Sequence, residues 1–196
     1  MSKFRPSPES AHRSGMTLVE MMVSLAIFAV VMTVVFTFMV NSRNSYADVS
    51  ERVEYQQTVR AALSLVSREI RTVGCDPTDI GFDRFAIADA GQILCRMDLD
   101  GDGVIETVEP AEQVDYWFDN DASELLRDPG TGPQTILRNV TNLVFTYFDA
   151  NGNQIGPPPL SQVDRTLIRF VNINITGESD RGEPVNYATR IFVRNG

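Results

Sequence analysis

Histidine and lysine are nearly absent. The only histidine is His12 and the only lysine is Lys3. Everything after residue 15 therefore lacks Ser-His and Cys-His nucleophile pairs, histidine zinc sites, P-loop lysines and Schiff-base lysines. Basic charge is also short: 17 basic against 26 acidic residues, net -9. Such a chain repels phosphate backbones, which argues against nucleic acid as a general partner. The aromatic residues, Trp117, Phe145, Tyr147, Phe148, Phe170 and Phe192 among them, do not form a cofactor-stacking box. Two cysteines without histidine are too few for a metal site. Only carboxylate chemistry remains for catalysis, and the chain is read as non-enzymatic. Glycine and proline, finally, are missing from the whole stretch between residues 16 and 73.

That last absence frames what is present. The 196 residues suffice for one ordinary domain plus an extension. The apolar residues are unevenly spread, with 20 of the 25 positions from Met16 to Val40 apolar. As a helix this run reaches about 37 Å, against a hydrocarbon core of about 30 Å. It is too long for a secretory h-region, and no small-x-small cleavage site follows it. Lys3, Arg5 and Arg13 precede it, and the positive-inside rule keeps that end in the cytoplasm. The plain reading is an uncleaved anchor with its carboxyl-terminal part outside.

Glu20 disturbs that reading. A carboxylate in a bilayer costs a few kcal/mol even on lenient scales, so it needs a partner or a purpose. The run Arg13-Ser14-Gly15 followed by Met16-Thr17-Leu18-Val19-Glu20 resembles the class III signal of type IV prepilins. Only Met16 departs from the commoner phenylalanine. The resemblance implies that prepilin peptidase cuts between Gly15 and Met16 and methylates the new amine. It also implies that Glu20 meets the Met16 amine of a neighbouring subunit during assembly. A buried ammonium and carboxylate attract strongly and select one register. The alternative is that Glu20 serves only its own helix, by pairing with its own amine or the helix dipole.

The helical pattern continues past Val40. Val49, Val53, Val59, Leu63, Val66, Ile70 and Val73 fall in steps of three, four or their sum and form one stripe. Arg52, Glu54, Arg60, Arg68, Glu69 and Arg71 mostly take the other faces, and Gly74 suits a C-terminal cap. The expectation is one helix from about Met16 to Val73. Residues 16–40 form a transmembrane or filament-core half and residues 41–73 an amphipathic half. Residues 74–196 carry strand signals at Gln92–Arg96, Val114–Phe118, Glu124–Arg127, Thr135–Val140, Leu143–Phe148, Arg165–Ile175 and Tyr187–Arg194, separated by turn residues. The fold class is α+β, with an antiparallel β-sheet head packed on the amphipathic half.

The order of features resembles PilW-like minor pilins of the type IV pilin superfamily. It rests on Arg68-Glu-Ile-Arg-Thr-Val-Gly74, Val114-Asp-Tyr-Trp-Phe118 followed by Leu125-Leu-Arg127, Leu137-Arg-Asn-Val140 before Leu143-Val-Phe-Thr-Tyr-Phe-Asp149, and the closing Ile191-Phe-Val-Arg-Asn195. The resemblance implies the type IV pilin fold. It also implies a leader over residues 1–15, an inner-membrane precursor with a periplasmic head, and later residence in a pilus at the cell surface. Its implied partners are prepilin peptidase, other minor pilins and the major pilin. Two other readings stay open: a J-type pseudopilin of a type II secretion system, and a calcium-binding signal-anchored adhesin or sensor that never polymerises.

Two local features remain. Cys75 and Cys95 lie in the exported part, where disulfides persist. A bridge between them would close a loop of about 20 residues and stabilise by roughly 3 kcal/mol. The segment from Asp98 to Glu109 satisfies the twelve-residue calcium loop of EF-hands. Asp98, Asp100 and Asp102 take positions one, three and five, Gly103 the turn at six, Val104 a carbonyl at seven, Glu106 position nine and Glu109 the closing carboxylate. A strand-like run before it and Pro110 after it make this a Ca2+ loop between strands rather than a helix-loop-helix. Residues 98–128 hold 11 acidic residues and one basic residue, so the chain's acidity is local. Asp149-Ala-Asn-Gly-Asn153 resembles only the start of such a loop and reads as a hairpin turn.

Overall fold

The computed structural model describes residues 16–107, 112–179 and 182–195, and within the long helix omits the side chains at positions 44, 47 and 48. The chain divides into two compact units, residues 1–47 and 48–196. One helix, α1 (Leu18–Thr72), contributes to both.

In the first unit, α1 is apolar on every side. Large side chains from Leu18 to Val40 are exposed throughout, with Leu18 at 76% and Phe38 at 75%. Two threonines within this stretch are satisfied locally. The Thr33 and Thr37 hydroxyls donate to the Ala29 and Thr33 carbonyls, each at 2.8 Å. A helix that turns these hydroxyls back on itself and displays mostly hydrocarbon suits an apolar surrounding.

In the second unit the same helix is one-sided. Val59, Ala62, Leu63, Val66, Ile70 and Val73 are buried, the last two completely. Val49 and Val53 share the stripe but stay exposed. Packing begins at Tyr55, whose hydroxyl donates to the carbonyls of Arg138 at 3.2 Å and Asn139 at 2.9 Å. At the other end Gly74 adopts φ +73°, and a Cβ there would meet Arg84 Cδ at 2.5 Å and the Asn195 carbonyl at 2.9 Å. Glycine therefore both ends the helix and admits the neighbouring chain.

The strands form two sheets, where the sequence suggests one. The first is a five-stranded antiparallel meander: β1 (Phe85–Ala88), β2 (Gln92–Arg96), β3 (Gln113–Asp119), β4 (Glu124–Asp128) and β5 (Gln134–Leu137). The second has three antiparallel strands: β6 (Val140–Phe148), β7 (Phe170–Glu178) and β8 (Pro184–Phe192). The expected strand Thr135–Val140 is broken because Asn139 sits at φ +56°. Leu137 thus ends one sheet and Val140 opens the other. The expected strand Arg165–Ile175 begins instead with a short helix, α2 (Gln162–Thr166), capped by the Ser161 hydroxyl. Main-chain bonds stitch the sheets together, from Phe145 N to Ala90 O at 2.8 Å and from Val140 N to Ser123 O at 2.9 Å.

A partly buried polar clamp ties α1 to the first sheet. Arg127 on β4 grips Glu69 in a two-pronged ion pair, Nε to Oε2 at 3.0 Å and Nη2 to Oε1 at 2.8 Å. The hydroxyl of Tyr116 on β3 donates to the same Oε2. Burial, then the adjacent Glu69 charge, raise the Tyr116 pKa well above the ordinary phenol value, so it stays a donor. Three separated sequence runs, ending the helix and forming β3 and β4, thus meet at one carboxylate.

Candidate functional site

The amino-terminal end of α1 is the first candidate. Gly15 lies outside the described residues; Met16 is exposed. Thr17 and Glu20 form a reciprocal cap. The Thr17 N–H and hydroxyl donate to Glu20 Oε2 at 2.9 and 3.0 Å, and the Glu20 N–H donates to Thr17 Oγ1 at 3.3 Å. This is a capping box, which satisfies two of the helix's orphan donors. In the single chain Glu20 therefore caps its own helix. Its carboxylate remains at the start of a wholly apolar surface, where an ammonium from another chain could exchange for these local donors.

The second candidate is the β2–β3 connection in the head. Arg96 pairs with Gln113, so β2 and β3 are the arms of a hairpin that Met97 leaves and Glu112 re-enters. Asp98 is completely buried. Its Oδ1 accepts the Gly101 N–H at 2.6 Å, and its Oδ2 accepts the Gly103 N–H at 3.1 Å and the Thr78 hydroxyl at 3.3 Å. Asp100 Oδ1 accepts the Asp102 N–H at 3.1 Å, and Asp102 Oδ1 accepts the N–H of exposed Val104 at 2.8 Å. Gly103 has φ +82°, and a Cβ there would lie 1.8 Å from Ile80 Cδ1. The sharp turn needs glycine for its backbone, and a Cβ would also displace the end of the exposed Ile80 side chain.

Glu109, expected to close the loop, lies outside the described residues. The structure places another carboxylate there. Glu112 is completely buried; its Oε1 accepts the N–H groups of Leu99 and, at 3.2 Å, Asp100, and its Oε2 accepts that of Glu106 at 3.4 Å. Oxygens of Asp98, Asp100 and Glu112 lie within 4.8 Å of one another, as do those of Asp100, Asp102 and Glu106. Two ligands of one Ca2+ at about 2.4 Å each are separated by at most about 4.8 Å. The donors thus fit a hard cation, with Asp100 common to both groups.

The carboxyl groups of Glu106 and Glu112 influence each other. The neighbouring Glu112 carboxyl, then burial, raise the pKa of Glu106. Burial alone would raise Glu112, but donation from Leu99, Glu106 and Asp100 outweighs it and leaves Glu112 below the usual carboxylate value. Hairpin register could have found Glu112. Met97 N donates to Glu112 O at 2.9 Å, so Glu112 faces the loop's first residues across its base.

Cys75 and Cys95, expected to bridge, are free thiols. Cys75 pairs with the segment beyond Cys95, its carbonyl accepting the Asp98 N–H at 2.8 Å, while Gly74 N donates to Arg96 O at 3.0 Å. Cys95 lies on the inner face of β2 with no exposure, and burial raises its pKa far above the ordinary thiol value.

Residues 10–36 match the family described as the prokaryotic N-terminal methylation motif. That stretch contains Gly15, Met16 and Glu20. No curated protein matches the chain. The chain carries a class III prepilin signal, followed by a long apolar helix and an antiparallel α+β head, an order consistent with the type IV pilin fold. The signal implies processing by prepilin peptidase, and with the apolar helix it is consistent with membrane anchoring of the precursor.

Proposed function

We propose that the chain is a PilW-like minor pilin, a non-catalytic subunit that helps to initiate or cap a type IV pilus. One observation carries this reading. The methylation motif opens a helix whose first half exposes hydrocarbon on every side, so that half needs lipid first and other helices later. The precursor sits in the inner membrane with its head in the periplasm. Cleavage after Gly15 frees the Met16 amine, and Glu20 of one subunit exchanges its cap for a neighbour's amine. Mass spectrometry of the membrane and sheared-filament fractions tests the proposal. The expected terminus is N-methyl-Met16 in both fractions, with pilus loss on deletion. An intact Met1 terminus would mean a plain anchored domain. A processed chain whose deletion stops protein secretion and leaves pili intact would be a type II secretion pseudopilin.

We infer further that the β2–β3 loop binds Ca2+ through Asp98, Asp100, Asp102 and Glu106, with Glu112 closing the site from its base. The oxygen spacings and the glycine-only turn at Gly103 support this. Millimolar Ca2+ should raise the melting temperature of the full chain in detergent, since binding at a hundredfold over Kd stabilises by about 2.7 kcal/mol. Asp98→Ala should remove the rise. Glu112→Gln should weaken Ca2+ at least about tenfold, a loss of about 1.4 kcal/mol, and Glu109→Gln should weaken it less. No rise with Ca2+ in the unaltered chain would sink the site, and the reverse order of the two glutamates would restore Glu109 as the closing ligand.

A further inference from the structure

The head holds a basic furrow that neither the prepilin signal nor the acidic loop uses. A cavity of about 640 Å3 runs between α1 and β8, rimmed by Arg60, Arg68 and Arg71. A second, of about 650 Å3, shares Arg71 and adds Arg190 and Arg194. All five arginines are exposed. None of the described residues lining either cavity is acidic. The described ion pairs employ other arginines, Arg127, Arg138 and Arg165. Five of the 16 arginines of a chain at net -9 therefore flank one furrow without a carboxylate.

The furrow borders an open sheet edge. Among the described residues of the second sheet, β8 is hydrogen-bonded to β7 alone. Tyr187, Ala188 and Thr189 all line the first cavity. Successive side chains of a strand point to opposite faces, so a cavity touching three in a row reaches the strand's edge. Along α1 the intervening positions are Ser64 and Ser67, small enough to leave a trough between the arginines, with Leu63 below. From Arg60 to Arg71 the trough is about 17 Å long at about 1.5 Å per helical residue. That length accommodates about five residues of extended chain at about 3.3 Å each, and an added strand lies about 4.8 Å from β8.

We propose that this furrow binds an extended acidic segment of another protein, which pairs with the open edge of β8 while its carboxylates meet Arg60, Arg68 and Arg71. The backbone edge supplies strand addition and the arginines supply sign selectivity. This does not depend on the pilin reading, since it concerns the head alone.

The test uses the full chain in nonionic detergent and a fluorescent seven-residue peptide alternating glutamate with threonine, capped at both ends. Saturable binding is expected in fluorescence anisotropy, together with slowed amide exchange at β8. The double variant Arg68→Glu, Arg71→Glu should bind at least tenfold more weakly with an unchanged melt, both side chains being exposed. N-methylation of alternate peptide amides, in both registers, should weaken binding in one register. Several results overturn the proposal. They are no binding at millimolar peptide, equal binding of both N-methylated peptides, and tighter binding of a heparin fragment or duplex DNA of the same charge. The last two would mean that the furrow reads anionic charge without adding a strand.

Discussion

The two ends of α1 obey one helical geometry and opposite rules of burial. From Leu18 to Val40 apolar side chains occupy every face and none is covered by the chain itself. From Val59 to Val73 they occupy one stripe, and that stripe is the core of the head. The difference lies in where the partner of each half resides. A one-sided stripe finds its partner within the same chain, here the inner faces of two sheets. An all-round apolar surface cannot be covered by a single small domain, so its partner is outside: lipid, or other helices. Polar groups follow the same division. In the first half Thr17, Glu20, Thr33 and Thr37 bond to their own helix, whereas in the second Tyr55 and Glu69 bond across to strands and loops.

The sharpest way to break this comparison is at Glu20, where the effect should be all or none. Glu20→Gln keeps a side chain able to complete the capping box but removes the charge that a neighbour's amine would meet. Full processing, unchanged helix content by circular dichroism and loss of the subunit from sheared filaments are expected. Normal incorporation of Glu20→Gln would show that this residue serves only its own helix, and the first half of α1 would then differ from the second in greasiness alone.

Next in size is the clamp that gives the second half its inward partner. Arg127→Ala leaves the Glu69 carboxylate largely buried without its cation, at a cost of about 3 kcal/mol. For a head of this size that lowers the melting temperature by about 6–12 °C. The double variant with Glu69→Ala should recover part of the loss, because the orphaned charge is gone. A loss below about 0.5 kcal/mol in Arg127→Ala would mean that apolar packing alone holds the helix, as an exposed ion pair would behave.

How much of this was legible in the sequence follows the same division. Period and composition placed α1 to within two residues at its start and one at its end, and β2 at its observed bounds. Both are local signals. What escaped was set by tertiary pairing. Val49 and Val53 fit the stripe as well as Val59 does, but the head begins only at Tyr55. The four-residue β1 carries too little pattern to stand out. Asn139 breaks a run that reads as one strand, because its left-handed backbone turns the chain from one sheet into the other. In the acidic loop, spacing from Asp98 leads forward to Glu109, while the hairpin's pairing leads backward from β3 to Glu112. A linear motif contains only the first. The cysteine pair follows the same division: compartment and separation allow a bridge, while the pairing that sets the Cys75 carbonyl against the Asp98 N–H is tertiary.

The smallest effect concerns a strand residue whose environment resists charge, in contrast to the satisfied carboxylate of Glu20. Asp115 on β3 accepts from Gln92 Nε2 at 2.8 Å through Oδ2, while its Oδ1 is buried without a partner among the described residues. Its cross-strand neighbour is Asp128. Burial, opposed by the Gln92 bond and reinforced by the Asp128 charge, raises its pKa. The folded chain therefore holds this proton more tightly than the unfolded chain. Stability from Asp115 is present at low pH, falls as pH rises through the folded value, and stays reduced at neutrality. Asp115→Asn keeps an acceptor for Gln92 and turns the orphaned oxygen into a donor toward Asp128. At pH 7 it should raise the melting temperature by roughly 1–3 °C, an effect of under about 1 kcal/mol for a half-exposed group. The gain should vanish as the pH approaches about 3, where the unfolded carboxylate is itself protonated. A gain independent of pH would assign the effect to hydrogen bonding rather than charge, and a loss at pH 7 would show that the Asp115 carboxylate is favoured by contacts other than Gln92.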